Sequence, residues 1–214
     1  TGVQTCALPI SLEQVDSYPY LGVEINSKLN WNNHINNISG KANNVLNLLR
    51  RHLYGCSQEV KERAFTSLVR PHLEYSASVW DPYTKTNINM LEKVQRRGAR
   101  FVTGIYSYKA SVTQMLNDLQ WQSLETRRKN RRLVTFYQAI NQLSPVIIPE
   151  YVIPSPCRTR SPERMYIQIS ASYNQYKNSF FPRTIREWNA LPPELVCTPT
   201  VVGFVTHLQI GRAH

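Results

Sequence analysis

Apolar residues recur along the chain at two spacings, and the switches between them divide it into elements. In Tyr18-Pro19-Tyr20-Leu21-Gly22-Val23-Glu24-Ile25, Val23 and Ile25 alternate with Glu24, which predicts a strand over 20–25 and a turn at Asn26-Ser27-Lys28. From Asn32 the period lengthens. Ile35, Ile38, Ala42, Val45, Leu49 and Leu53 return at three and four residues, the stripe of an amphipathic helix. Gly55 stands where a C-terminal stop residue is wanted. Ser57 is a good N-cap, Glu59 lies in the first turn where the dipole favours an acid, and Val60, Ala64 and Leu68 form the next stripe. Pro71 is expected to kink or end that helix at Arg70, with helix resuming over 73–80.

After a break at Asp81-Pro82-Tyr83, a helix is predicted over 87–102 with Gly104 as its stop. Ser111-Val112-Thr113-Gln114 fits a capping box and opens a short helix through Met115, Leu116 and Leu119. A long basic helix follows over 123–143, with Leu133, Tyr137 and Ile140 on its apolar stripe and Ser144-Pro145 as its stop. Beyond it, Pro145, Pro149, Pro154, Pro156 and Pro162 break up a basic stretch, and 165–169 is a candidate strand. Phe181-Pro182-Arg183-Thr184 opens a short helix through Trp188 that Pro192-Pro193 ends. Thr198-Pro199 reads as the cap and first residue of a last helix carrying Val201, Val202, Phe204 and Leu208. The expected fold class is mainly α: a helical bundle with one or two short strands and a Pro-rich irregular C-terminal tail.

The two ends do not belong to this pattern. Thr1-Gly2-Val3-Gln4-Thr5-Cys6-Ala7-Leu8-Pro9-Ile10 reads as ACT GGA GTT CAG ACG TGT GCT CTT CCG ATC in frame, the text of a sequencing adapter. Ile210-Gly211-Arg212-Ala213-His214 reads as its reverse complement, ATC GGA AGA GCA CAC. Residues 1–10 and 209–214 are therefore expected to be adapter-derived, with Ser11 and Gln209 at the junctions. What remains is expected to be an internal fragment without either native terminus.

Hydrophobic residues make up 42% of the 214 and charged residues 18%, enough apolar surface for a packed core and too much for wholesale disorder. The net charge of +11 points to a polyanionic partner, most directly nucleic acid. No run of about 18 apolar residues predicts a membrane span. Cys56, Cys157 and Cys197, with His34, His52, His72 and His207, are too scattered for a disulfide framework or a zinc site.

Catalytic signatures are missing. The only aspartates are Asp16, Asp81 and Asp118, and none adjoins another acid, whereas two-metal phosphoryl transfer needs converging carboxylates. Glu59 and Glu62 read as a solvated helix start. No glycine-rich phosphate loop and no Gly-x-Ser-x-Gly elbow occurs. No catalytic and no metal-ligating residue is assigned.

Positive charge, by contrast, is concentrated. Residues 91–132 carry a local net of +7, and residues 158–186 a local +5. In the helix over 87–102, Lys93, Arg96, Arg97 and Arg100 share one face, opposite Ile88, Leu91, Val94, Phe101 and Val102. In the helix over 123–143, Arg127, Arg128 and Arg131 cluster, with Arg132 and Lys129 off the row. Arginine's planar fork suits bidentate phosphate contact. These eight residues, Lys93, Arg96, Arg97, Arg100, Arg127, Arg128, Arg131 and Arg132, are the candidate nucleic-acid-binding set, because few acids lie near them in sequence. Arg50, Arg51 and Arg63 read instead as solvated helix faces. Trp31, Trp80, Trp121 and Trp188 sit at element boundaries and read as core or lid residues.

Several stretches together resemble the C-terminal part of reverse transcriptases from non-LTR retrotransposons (LINE elements) of the jockey-like kind. They are Tyr20-Leu21-Gly22-Val23; Leu29-Asn30-Trp31-Asn32-Asn33-His34-Ile35; Val69-Arg70-Pro71-His72-Leu73-Glu74-Tyr75 with Val79-Trp80-Asp81-Pro82-Tyr83; and Leu91-Glu92-Lys93-Val94-Gln95-Arg96-Arg97. Leu119-Gln120-Trp121-Gln122-Ser123-Leu124 with Arg127-Arg128, and Ser179-Phe180-Phe181-Pro182-Arg183 with Trp188-Asn189-Ala190-Leu191-Pro192, complete the set. Each is weak alone; their number and order carry the resemblance.

The resemblance implies that residues 11–31 end a polymerase palm, 32–144 form a thumb-like helical domain and 145–208 a C-terminal extension. The family's catalytic aspartates precede the first of these segments, so the fragment alone is expected to be inactive. Magnesium is expected only in the missing catalytic core, and no cofactor in this fragment. The implied partners are RNA and DNA as a template–primer duplex and the remaining polymerase domains, in a nuclear or cytoplasmic ribonucleoprotein, neither secreted nor membrane-bound. A protein–protein interaction module and a non-functional remnant of a decayed element are the alternatives. If the ends are adapter text, re-sequencing the source transcript will replace residues 1–10 and 210–214 with others. The same codons in genomic DNA would refute the assignment.

Overall fold

Val23 and Ile25 do lie on a strand, but the residues before them fold back onto it rather than extending it. In the computed structural model, which describes residues 14–156 and 165–210, β1 (Ser17–Tyr20) pairs antiparallel with β2 (Val23–Asn26). The predicted strand over 20–25 is thus a hairpin. Its turn residues Leu21 and Gly22 both have positive φ, +46° and +81°, the handedness that matches strand twist in a two-residue turn. Tyr18, Tyr20 and Leu21 remain exposed, because no further strand pairs with β1 among the described residues.

The rest is mainly helical, in the order α1 (Asn32–His52), α2 (Gln58–Ala64), a π-helical segment (Phe65–Val69), α3 (Arg70–Glu74), α4 (Ala77–Trp80) and α5 (Lys85–Thr103). Then come α6 (Val112–Asp118), α7 (Leu124–Ile140), α8 (Asn174–Lys177), α9 (Phe180–Trp188), α10 (Pro193–Val196) and α11 (Val201–Ile210). Local chemistry accounts for several boundaries. Ser57, Ser111 and Ser123 each accept a hydrogen bond from a backbone N–H three residues on. Gly104, with φ +71°, ends α5.

Other boundaries depart from the sequence expectation. α1 ends at Leu53 without a left-handed residue, so Gly55 is not its stop. Pro71 does not end its helix. The π-helical segment just before it widens the backbone, so that Arg70 N–H bonds to Phe65 O and the proline ring is accommodated in α3. The break falls at Tyr75-Ser76 instead, where Ser76 is left-handed. Thr200 rather than Thr198 caps α11, its hydroxyl accepting from Gly203 N–H at 3.1 Å.

Two apolar clusters form. The first joins β2, α1, the π-helical segment, α3–α6 and the start of α7 around Ile35, Leu46, Phe65, Leu73, Trp80, Leu91, Val94, Phe101 and Leu124. The second joins the C-terminal half of α7 to α9, α10 and α11 through Leu133, Phe136, Tyr137, Ile185, Trp188 and Phe204. Tyr137 stacks on Phe204 at 4.5 Å between ring centres and donates its hydroxyl to Thr198 O at 2.7 Å. Among the described residues, the region after Pro145 is therefore irregular only over 146–156 and 165–173. From α8 onward it is helical and packed, and α7 belongs to both clusters. The candidate strand over 165–169 makes a single bridge, Pro154 with Tyr166. Pro162, Cys157 and the ends at 1–10 and 211–214 lie outside the described residues.

α1 and α5 run parallel. Asn87 Nδ2 donates to Asn32 Oδ1 at 2.8 Å near their N-terminal ends, and Arg97 Nη1 donates to Asn43 Oδ1 at 2.9 Å midway. Trp80 and Trp188 are fully buried, and Trp31 and Trp121 half-buried, which places all four in packing roles. His34 is buried against Trp80, accepts from Glu24 N–H at 3.2 Å, and burial lowers its pKa, so it packs as a neutral ring. At Gly98 a Cβ would overlap the Phe65 ring, whereas at Gly40 it would meet open space. Gly98→Ala is expected to destabilise by about 1–3 kcal/mol through overpacking, and Gly40→Ala to stabilise by about 0.5–1 kcal/mol. Urea midpoints of the two variants check this, and equal shifts would refute the close helix contact.

Candidate nucleic-acid interface

The eight candidate cations divide between two environments. On α5, Lys93, Arg96 and Arg97 are exposed and Arg100 is half-buried, all on the face turned away from the core. Only Glu92 adds an acid to that helix, and its carboxylate is turned toward α7, where it accepts from Glu125 N–H at 3.0 Å. Burial there raises its pKa. Because α1 is parallel to α5 and carries no acid, its Arg50 and Arg51 extend the same positive face. Arg50 lies over the Tyr106 ring, 5.3 Å from its centre. Arg50 and Arg51 are solvent-exposed, as expected, and lie on the same face as the α5 cations. Arg63 does pair with Glu59 in solvent, at 3.0 Å.

The cations of α7 are largely turned inward. Arg128 and Arg132 are buried, and Asp81 binds both. Arg128 Nε donates to Asp81 Oδ1 at 2.7 Å, and Arg132 Nη1 contacts Oδ2. Arg183 of α9 approaches the same carboxylate at 3.4 Å and donates to Pro82 O at 3.3 Å. Glu187, one turn further along α9, accepts from Arg132 Nη2 at 2.7 Å. Burial pushes the Arg128 and Arg132 guanidiniums down to about 10, which leaves both charged at neutral pH. Neither is available to a phosphate, and their place in the binding set is corrected. The physical reason is that their acidic partners, Asp81 and Glu187, are distant in sequence and adjacent in space.

Arg127 makes a two-pronged pair with Glu74 of α3, which raises its pKa, while Arg131 is exposed. Both line a cavity of about 380 Å³ between α7 and α11, with Glu74, Gln122, Asn130 and Gln138. Glu62 is likewise not merely solvated, since it accepts from Trp121 Nε1 at 2.9 Å. The inward role of α7 had a signal in the sequence. Leu124, Arg128, Arg132 and Phe136 follow one another at four-residue steps, an apolar stripe interrupted by two arginines.

Comparison with protein-family models, with curated proteins and with solved structures returns no significant match. Among the described residues, no helix is long and apolar enough to cross a membrane.

Asp81→Asn keeps the side-chain volume but leaves buried Arg128 without its ion-pair partner, and Arg132 and Arg183 with Glu187 alone. It is expected to cost about 3–5 kcal/mol of folding stability, as removal of one partner from a buried pair does. Glu59→Gln, which breaks only the solvent-exposed pair with Arg63, should leave the unfolding midpoint nearly unchanged. Urea unfolding of both variants checks this; a cost below about 1 kcal/mol for Asp81→Asn would show that the cluster does not hold the fold.

Proposed function

We propose that this chain is the palm-end, thumb and C-terminal part of an RNA-directed DNA polymerase of the non-LTR retrotransposon kind. In this reading it grips the template–primer duplex through a basic helical surface. The observation that carries the nucleic-acid part is the α1–α5 face. Two parallel helices present Lys93, Arg96, Arg97 and Arg100 beside Arg50 and Arg51, with no acid between them that is not already engaged elsewhere. The family part rests on the ordered motifs of the sequence.

An RNA–DNA hybrid is close to A-form, and its deep major groove hides the base edges from side chains. Recognition then runs through phosphates and groove shape, which suits a row of guanidiniums on a rigid helix. The chain itself supplies no catalytic residue in this reading. It positions duplex for carboxylates elsewhere in the polymerase, within a nuclear or cytoplasmic ribonucleoprotein.

Neutralised phosphates release counterions, so log affinity for the hybrid should fall with log salt by about 0.9 per contact. Replacing Arg96, Arg97 and Arg100 by Gln is expected to flatten that slope by about 2–3. Replacing Arg63, Lys177 and Arg186, exposed cations on α2, α8 and α9, removes the same charge from other elements and should flatten it little. Fluorescence anisotropy of a labelled hybrid over a salt series measures both. Equal losses would reduce the attraction to net charge, and no loss from either would favour the interaction-module reading.

A further inference from the structure

At the C-terminal end of the α1–α5 pair the basic face acquires aromatic rings. A shallow groove of about 740 Å³ is lined by Asn44, Asn47, Arg50, Arg51, Tyr54 and Tyr106. Tyr54, in the turn after α1, is 86% exposed, and Tyr106, just after α5, is 51% exposed. The Arg50 guanidinium lies over the Tyr106 ring. No acid lines the groove, and neither Arg50 nor Arg51 makes an ion pair with a described residue. Both asparagines are exposed and offer amide donors and acceptors.

We propose that this groove is a single-strand site, in which Tyr54 and Tyr106 stack unpaired bases while Arg50 and Arg51 hold the adjacent phosphates. The inference rests on the nucleic-acid reading of the α1–α5 face but names a different form of ligand. Duplex keeps its base faces covered by neighbouring bases and has nothing to lay on an exposed tyrosine. A single strand presents a π-face at every base, and a positively charged groove with aromatic rings binds it with little sequence preference. Arg50, stacked on Tyr106, fixes the ring orientation and keeps donors free for a phosphate beside it. Asn44 and Asn47 lie one turn apart on α1 and are placed to hydrogen-bond sugar or base edges.

The test uses the full chain and two fluorescein-labelled probes, an RNA–DNA hybrid and a single-stranded oligonucleotide within the range of about 4–16 nucleotides that one such groove covers. Tyr54→Ala and Tyr106→Ala are each expected to weaken single-strand binding by about 5- to 150-fold, the worth of one stacked base, and to leave hybrid binding within about twofold. Tyr54→Phe and Tyr106→Phe keep the rings and should retain single-strand affinity. Arg50→Gln with Arg51→Gln should weaken the single strand and lower its salt dependence. An unchanged circular-dichroism spectrum and unfolding midpoint separate these effects from misfolding. If the Tyr→Ala variants bind single strand like the parent while the chain still binds hybrid, this proposal fails and the duplex reading stands. If neither probe binds, both fail together. If the Tyr→Ala variants lose both probes equally, the groove is part of the duplex surface and the single-strand assignment is wrong.

Discussion

The Asp81 carboxylate joins segments of the chain 47 and 102 residues away from it, through Arg128 of α7 and Arg183 of α9. Taking a guanidinium out of water costs several kcal/mol, and three of them converge here. They are tolerable only because Asp81 and Glu187 share them, with the field of Glu92 and Glu125 also favouring the charge on Arg128. Asp81 can serve this purpose because Trp80 beside it is fully buried and donates its indole N–H to Tyr75 O at 2.8 Å, which holds the end of α4. The cluster lies where the two apolar clusters meet, so α7 is common to both. A chain with this carboxylate removed would keep both sets of apolar contacts but lose the compensation for the charges between them.

That use of charge decides what the surface can do. With Arg128 and Arg132 inside and Arg127 paired, α7 contributes Arg131 and Lys129 to the outside. The outward positive charge falls to α5 and to α1, which three contacts hold in parallel register along their lengths. Parallel alignment also brings the two C-terminal ends together. There Arg50, Arg51 and Arg100 complement the negative ends of the helix dipoles as well as facing solvent. The loops leaving those ends carry Tyr54 and Tyr106, so the most aromatic part of the basic face is produced by the direction in which the helices run.

Much of this was written in local patterns. The helices over 32–52, 85–103 and 124–140, the caps at Ser57, Ser111 and Ser123 and the stop at Gly104 follow from apolar spacing and side-chain chemistry within a few residues. The exposed face of Lys93, Arg96, Arg97 and Arg100 follows from the same arithmetic, since its opposite face is apolar. Where the reading departed, a non-local neighbour was responsible. The strand over 20–25 became a hairpin, with Tyr75, just after α3, donating its hydroxyl to Leu21 O at 3.1 Å in the turn. Pro71 was absorbed by a π-helical segment whose Phe65 ring fills the gap at Gly98. The helices expected after Phe181 and Thr198 did form, but their packing partner was not local: Ile185, Trp188, Val196 and Phe204 lie against the second half of α7.

Sequence by itself determined the mainly helical class, the element boundaries set by caps and glycines, and the excess of positive charge. Those are properties of residues and their near neighbours, within about a helical turn. Tertiary structure decided which cations face water. Arg96 and Arg128 carry the same charge on helices of similar pattern, yet one is exposed and the other is buried against Asp81. The difference is made by acids 47 and 55 residues distant, which pair with the α7 arginines only once α4 and α9 are in place. It also decided that Arg50, Arg51, Tyr54 and Tyr106 form one groove, because no local spacing relates the end of α1 to the end of α5.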